Sequence, residues 1–179
     1  DEWGAMEEEA ARRAAAARYI KLGGVSEKSV QQLRALHLAL FPVRYSDSFY
    51  SQLAEGGGLS QLAFFNDVLV GAACCRVEEG KLYIMTLGVL APYRRLGIGS
   101  MLLRQVLHAC ASEPSPREIY LHVQTSNQYA IDFYKRFGFT TGDIVKDYYK
   151  RIDPPDAVVL HRLPPFPTLS VEEQPARYA

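Results

Sequence analysis

Residues 94–100 read Arg94-Arg95-Leu96-Gly97-Ile98-Gly99-Ser100, two guanidinium groups and two glycines at the mouth of an apolar, helix-spaced pattern. A helix start offers backbone N–H groups without acceptors and the positive end of a dipole, and glycine lets that backbone approach an anion closely. The spacing lacks the Gly-Lys-Ser/Thr ending of a nucleotide P-loop, and it is not the Gly-x-Gly-x-x-Gly dinucleotide fingerprint. It points either to a pyrophosphate of another kind or to a plain glycine turn with solvated arginines. A second set of residues suits proton transfer. His122 alternates away from Ile119, Leu121 and Val123 on a strand-like run, and histidine's reference pKa of about 6.5 fits an acceptor at neutral pH. Tyr83 shares a face of its own run with Met85 and Leu87 if strict alternation holds. With the two runs side by side, Tyr83 and His122 would hold a common water. The histidine is then the better base, because the reference pKa of tyrosine is about 10. Both residue types also occur as packed sheet residues, and Tyr134, on a helical apolar stripe, reads equally as a core aromatic.

The elements that must position these groups follow from periodicity. Val30, Leu33, Leu36 and Leu40 recur at helical spacing after Ser26, a candidate cap, and before Pro42. A short helix capped at Asp47 carries Phe49, Tyr50 and Leu53 and stops at the glycines 56–58. Runs 62–65 and 68–77 flank Asn66-Asp67, a hairpin signal, and 81–90 forms a further strand. Leu102, Leu103, Val106, Leu107 and Cys110 mark the buried stripe of the helix that follows the glycine loop. Residues 118–124 alternate as a strand, and a helical crossover returns the chain parallel to 81–90. A helix from Asn127 places Ala130, Phe133, Tyr134 and Phe137 at helical spacing and ends at Gly138. Strands near 139–149 and 157–163 complete the sheet. The Phe41–Tyr45 loop and Tyr148-Tyr149 are aromatic and lie outside the core stripes, suited to walling an apolar cleft or to ordinary loop packing.

With 179 residues, 48% of them hydrophobic and 22% charged, the chain fits one globular domain. Twenty basic residues offset twenty acidic ones, so no global field favours nucleic acid or an anionic membrane. The three cysteines and four histidines lack metal-ligand spacing, and no metal is expected. No apolar run is long enough for a bilayer and no signal-like segment opens the chain, so the expected location is cytoplasmic.

The loop at 94–100 resembles the Arg/Gln-x-x-Gly-x-Gly/Ala coenzyme A motif of the GNAT acetyltransferases, in the same order of elements. Phe41–Tyr45 and residues 82–100, 119–123, 127–139 and 148–152 together are similar to the catalytic subunits of N-terminal acetyltransferase E. The resemblance runs from about Tyr19 to Leu163. It implies an α/β GNAT fold: a mixed, mostly antiparallel sheet whose central parallel pair splays at the acetyl-CoA site, flanked by helices. The domain is then 19–163, with 1–18 a flexible N-terminal extension and 164–179 a Pro-rich flexible tail. Acetyl-CoA would lie with its pyrophosphate on Arg94, Arg95, Leu96, Gly97, Ile98, Gly99 and Ser100. Leu87, Gly88 and Val89 would hold its pantetheine like an added strand, and Asn127 would touch it. By the same resemblance Tyr83 and His122 serve the amine, and Tyr134 donates a proton to the departing thiolate. Phe41, Pro42, Val43, Tyr149 and Ile152 would surround the first side chain of an acceptor peptide, an initiator methionine. Tyr45, Met85, Tyr148 and Arg151 would position its backbone.

Such chemistry needs a neutral amine. A protein α-amino group has a reference pKa of about 7.7–8, so roughly a tenth to a fifth is neutral at pH 7, whereas lysine starts some 2.5 units worse. The implied activity is transfer of acetyl to free polypeptide N-termini, with Met followed by a hydrophobic residue preferred. Implied partners are those N-termini and a NatA-like scaffold and sister catalytic subunit on the ribosome. The competing expectations are a GNAT enzyme for lysine or small amines, and a catalytically quiet acetyl-CoA-binding subunit.

Overall fold

Asn66 and Asp67 both adopt the left-handed region, at φ 48° and 69°, as a two-residue hairpin turn requires. They join β2 (Gln61–Phe65) to β3 (Val68–Glu78), and Glu79-Gly80 repeats the device between β3 and β4 (Lys81–Val89). These strands belong to a seven-stranded sheet in a computed structural model that describes residues 1–56 and 58–178. The remaining elements are α1 (Glu2–Ala17), β1 (Ile20–Gly24), α2 (Val30–Leu40), α3 (Asp47–Glu55), α4 (Ile98–Cys110), β5 (Glu118–Gln124), α5 (Gln128–Arg136), β6 (Thr140–Val145) and β7 (Ala157–Arg162). The strand order is β1-β2-β3-β4-β5-β7-β6, antiparallel throughout except for the parallel β4–β5 pair. This is the mixed sheet that the sequence implied.

Each face of the sheet carries its own core. Ile98, Leu102, Leu103, Val106, Leu107 and Cys110 of α4 and Ile131 and Tyr134 of α5 are buried against Leu82, Ile84, Leu121 and Val123. On the other face Leu33, Leu36, Tyr50 and Leu53 of α2 and α3 pack on Leu62, Phe64, Ala72 and Cys74. The adjoining Cys74 and Cys75 contribute to opposite cores, as strand alternation demands. Gly138, at φ 83°, closes α5: its N–H reaches Lys135 O and that of Phe139 reaches Tyr134 O, the paired bonds of a Schellman ending.

Several expectations shift. Ser29, not Ser26, precedes α2, and Ser46 caps α3 by accepting from Phe49 N, leaving Asp47 inside the helix to pair with Arg34. In the glycine run, Gly56 caps α3, while Gly57 lies outside the described residues. β6 ends at Val145, so Tyr148 and Tyr149 lie in the loop beyond it. β1 was not foreseen, since Ile-Lys-Leu-Gly-Gly carries two glycines and little alternation. The ends read as flexible also adopt order. Residues 2–17 form α1, whose Ala16 is buried in the core, and the tail lies along β1. There Leu22 N donates to Ala176 O and Tyr178 N to Leu22 O, while Tyr178 stacks on Phe64 at 3.9 Å. The physical reason is the free edge of β1, whose backbone groups would otherwise be unpaired. No described helix is long and apolar enough to cross a membrane.

His37 ties the two halves of the second core together. Only 1% exposed, it places Nδ1 3.0 Å from the Tyr50 hydroxyl and Nε2 3.3 Å from Thr86 Oγ1. Phe41, Tyr45, Phe49 and Tyr50 ring it at centroid distances of 5.3 to 6.0 Å. Burial pushes its pKa down to about 4 from 6.5. The unfolded chain therefore binds the extra proton between those values, and stability falls as pH drops from 6.5 towards 4, by up to about 3 kcal/mol. Urea unfolding of the wild type and of His37→Gln at pH 7 and pH 4.5 should show the steeper acid loss only in the wild type. Equal acid losses would assign the effect to other groups.

Candidate active site

β4 and β5 pair through Lys81↔Glu118, Leu82↔Ile119 and Tyr83↔Tyr120, and then part. Both strands continue, β4 paired to β3 and β5 paired to β7, so their inner edges face each other without ladder bonds. The register of β4 on β3 skips Met85 between Ile84 and Thr86, a bulge immediately beyond the last β4–β5 pair. A bulge bends its strand and increases its twist. It also corrects the expected alternation: Tyr83 and Met85 face the α2 side, but Leu87 packs into the α4 core and Thr86 turns to His37.

At the point of parting, the Tyr83 hydroxyl and His122 Nδ1 lie 2.9 Å apart. They meet directly, where the sequence reading placed a water between them. Tyr148 completes a triad: its hydroxyl is 3.0 Å from that of Tyr83, and its ring stacks on the imidazole at 4.3 Å. Tyr120 stacks on the other side of Tyr83 at 4.7 Å and donates to Glu78, and the Arg76 guanidinium lies 5.4 Å from the Tyr83 ring centre. Burial, reinforced by the Tyr148 hydrogen bond, raises the Tyr83 pKa far above its ordinary value, and burial lowers that of His122. The tyrosine thus stays protonated and the imidazole neutral near pH 7. Tyr120 was legible, being on the His122 face of β5; the stacking of Tyr148 had no local signal.

Tyr134 lies on the opposite face, buried at 6% exposure between Phe133 and Phe139, and burial raises its pKa strongly. Asn127 caps α5, its side-chain oxygen accepting from Ala130 N at 3.2 Å.

The glycine loop stands after the other end of β4. Arg95 and Gly97 hold φ 66° and 82°, and Gly97 precedes α4 without a side-chain cap. Among the described residues, no backbone N–H from 95 to 100 donates to a protein acceptor, the first bond being Met101 N to Gly97 O. Arg94 donates Nε to Val89 O at 3.1 Å, which ties the loop to the end of β4. Such a run of free amides at a helix start fits a pyrophosphate, and the free edge at Leu87, Gly88 and Val89 fits an extended amide-bearing chain. These are the groups that acetyl-CoA presents.

The aromatic loops converge on the same slot. A Cβ built on Gly88 would lie 3.1 Å from Phe41 and 3.0 Å from Leu40, so Phe41 rests directly on β4. Burial first, and the neighbouring tyrosines second, raise the pKa of both Tyr45 and Tyr149, and Tyr148 meets the Tyr149 ring edge-on at 4.9 Å. Pro42 and Val43 are exposed on the first loop, and Arg151 and Ile152 are exposed on the second. Arg151 makes no ion pair or side-chain hydrogen bond among the described residues. The His37 network under the Phe41–Tyr45 loop was missed, because its partners Tyr50, Cys74 and Thr86 lie on three different elements.

A family model for the acetyltransferase (GNAT) family matches residues 30–139. An N-alpha-acetyltransferase 50 of Danio rerio is 52% identical over 147 residues, 80% of this chain and 88% of the relative. Naa50 of Arabidopsis thaliana, solved in complex with the bisubstrate analogue CoA-Ac-MVNAL, superposes with a TM-score of 0.75 at 48% identity, covering 80% of this chain and 98% of that one. NAA60 of the same plant, also solved with a bisubstrate analogue, gives 0.70 at 25% identity over 80% of this chain and 97% of that one. A fold with parted parallel strands, a free-amide loop beside them and relatives of this similarity establish that the chain belongs to the GNAT acetyltransferase family, within its N-alpha-acetyltransferases.

Proposed function

We propose that this chain transfers acetyl from acetyl-CoA to the free α-amino group of polypeptides, with initiator Met followed by a hydrophobic residue preferred. The observation that carries the reading is the direct Tyr83–His122 contact at the mouth of the parted strands. Acetyl-CoA, seated on the 94–100 amides and the Leu87–Val89 edge, supplies the thioester. Every other requirement falls to the protein. With His122 Nδ1–H donating to Tyr83, and Tyr83 donating to Tyr148, His122 Nε2 is left as the acceptor of the amine proton. Tyr83 and Tyr148 fix that tautomer and hold the imidazole in place. Tyr134, kept protonated on the far face of the sheet, is the donor to the departing sulfur. Asn127 orients the start of α5 against the coenzyme.

Phe41, Pro42, Val43, Tyr149 and Ile152 wall the pocket for the first side chain, and Tyr45, Met85, Tyr148 and Arg151 align the peptide backbone. The analogue bound by the Arabidopsis relative carries Met followed by Val, which supports a hydrophobic second residue. A lysine acceptor would face some 2.5 further pKa units, about 3.5 kcal/mol, to become neutral. The proposed setting is the cytoplasm, beside a NatA-like scaffold and sister catalytic subunit on ribosomes. It rests on the family resemblance, and co-sedimentation with ribosomes checks it.

Steady-state transfer to a free Met-Leu peptide, compared with a peptide whose terminus is blocked but which offers a lysine, tests the acceptor. Transfer to the free terminus alone is expected, and preference for the lysine overturns the assignment. His122→Ala should lower kcat by roughly ten- to a hundredfold, less than a full general-base effect because part of the amine is already neutral. An unchanged kcat would remove His122 from the mechanism. Gly88→Ala, whose methyl would press on Leu40 and Phe41, should raise the peptide KM several-fold, in the manner of a displaced pocket wall. A peptide KM equal to the wild-type value would detach Phe41 from acceptor binding.

A further inference from the structure

The family match begins at residue 30, so α1 lies outside it, yet α1 reaches the coenzyme loop. A Cβ built on Gly97 would lie 3.7 Å from Arg13 Cδ and 3.9 Å from Arg13 Cγ. The stem of this arginine therefore lies over the glycine at the centre of the free-amide run, about one methyl group away. Its guanidinium, two bonds beyond Cδ, is half exposed and paired with Glu9 one turn earlier at 2.6 Å. The helix is fixed close by: Ala16 is buried in the core, and Tyr19 N donates to Ala16 O at 2.9 Å. Asp1 caps the far end through Trp3 N. Of the two loop arginines, Arg94 is partly engaged with Val89 O, and Arg95 makes no hydrogen bond or ion pair among the described residues.

We propose that Arg13 is a coenzyme-binding residue supplied by the N-terminal helix, exchanging Glu9 for the pyrophosphate held over the amides of residues 95–100. The inference rests on the reading of that loop as the pyrophosphate cradle. An exposed pair one helical turn apart is weak, whereas a guanidinium on phosphate forms charge-assisted, fork-shaped hydrogen bonds. The exchange is therefore downhill once a pyrophosphate is present. The stem already lies over Gly97, so a short swing of the guanidinium suffices.

Calorimetric titration of the full chain with acetyl-CoA, without peptide, tests this in the wild type, Arg13→Ala and Arg13→Lys. Arg13→Ala should weaken binding about three- to tenfold, discounted for half exposure, and Arg13→Lys should recover part of the loss. The thermal midpoint without ligand should be unchanged. Dephospho-coenzyme A, which keeps the pyrophosphate but lacks the 3′-phosphate, should show the same ratio between wild type and Arg13→Ala. Equal binding by Arg13→Ala, or a ratio that vanishes with dephospho-coenzyme A, overturns the proposal. Tighter binding by Arg13→Ala overturns it too, and makes α1 an obstruction. A wild type that fails to bind acetyl-CoA removes the cradle reading itself, an outcome distinct from failure of the arginine alone.

Discussion

Backbone groups need partners, and the divergence of β4 from β5 after Tyr83 and Tyr120 leaves two rows of them facing each other across a slot. Each strand keeps its outer neighbour, β3 for one and β7 for the other, so the sheet stays intact while its centre opens. The bulge at Met85 bends β4 where this divergence begins. From that one constraint the rest follows: the slot leaves the Leu87–Val89 edge without a ladder partner on the β5 side, on the strand that leads into the free amides ahead of α4. Tyr83 and His122 lie on one face and Tyr134 on the other, and the proposed mechanism draws on both.

Two imidazoles lie on the α2 side of the sheet, His37 buried and His122 half-buried, and in both loss of water favours the neutral form. His37 is enclosed by four aromatic rings and three polar partners and serves to bind α2 and α3 to β4. His122 is stacked on one side by Tyr148 and keeps one nitrogen free of protein bonds among the described residues. What sets His122 apart from His37, and supports the role proposed for it, is that unused nitrogen, since both environments lower the pKa in the same way. Desolvation alone would not have told them apart.

Elements with local rules were legible in the sequence. Asn66-Asp67 announced its turn, α4 its buried stripe, β5 its alternation, and Gly97 and Gly99 their loop. The Tyr83–His122 neighbourhood followed from the parallel crossover. What escaped has no local signature. The Met85 bulge contains neither Gly nor Pro, so Leu87 was assigned to the wrong face. β1 is held by pairing with β2 rather than by its own pattern. Ile131, as deeply buried as Tyr134, was hidden because Ala130, Phe133 and Phe137 fit the same helical period. Tyr148 reaches His122 only because β7 inserts between β5 and β6 and brings the intervening loop back over the slot.

The tail running beside β1 gives the sheet a border made of the chain's own end. Leu22 exchanges backbone bonds with Ala176 and Tyr178, and the Tyr178 ring lies flat on Phe64. The molecule thus carries its own blocking strand, a short segment occupying the site where a neighbour's strand would otherwise dock. Residues 176–178 therefore occupy part of the β1 edge themselves, and the Phe64–Tyr178 stack fastens them to the sheet.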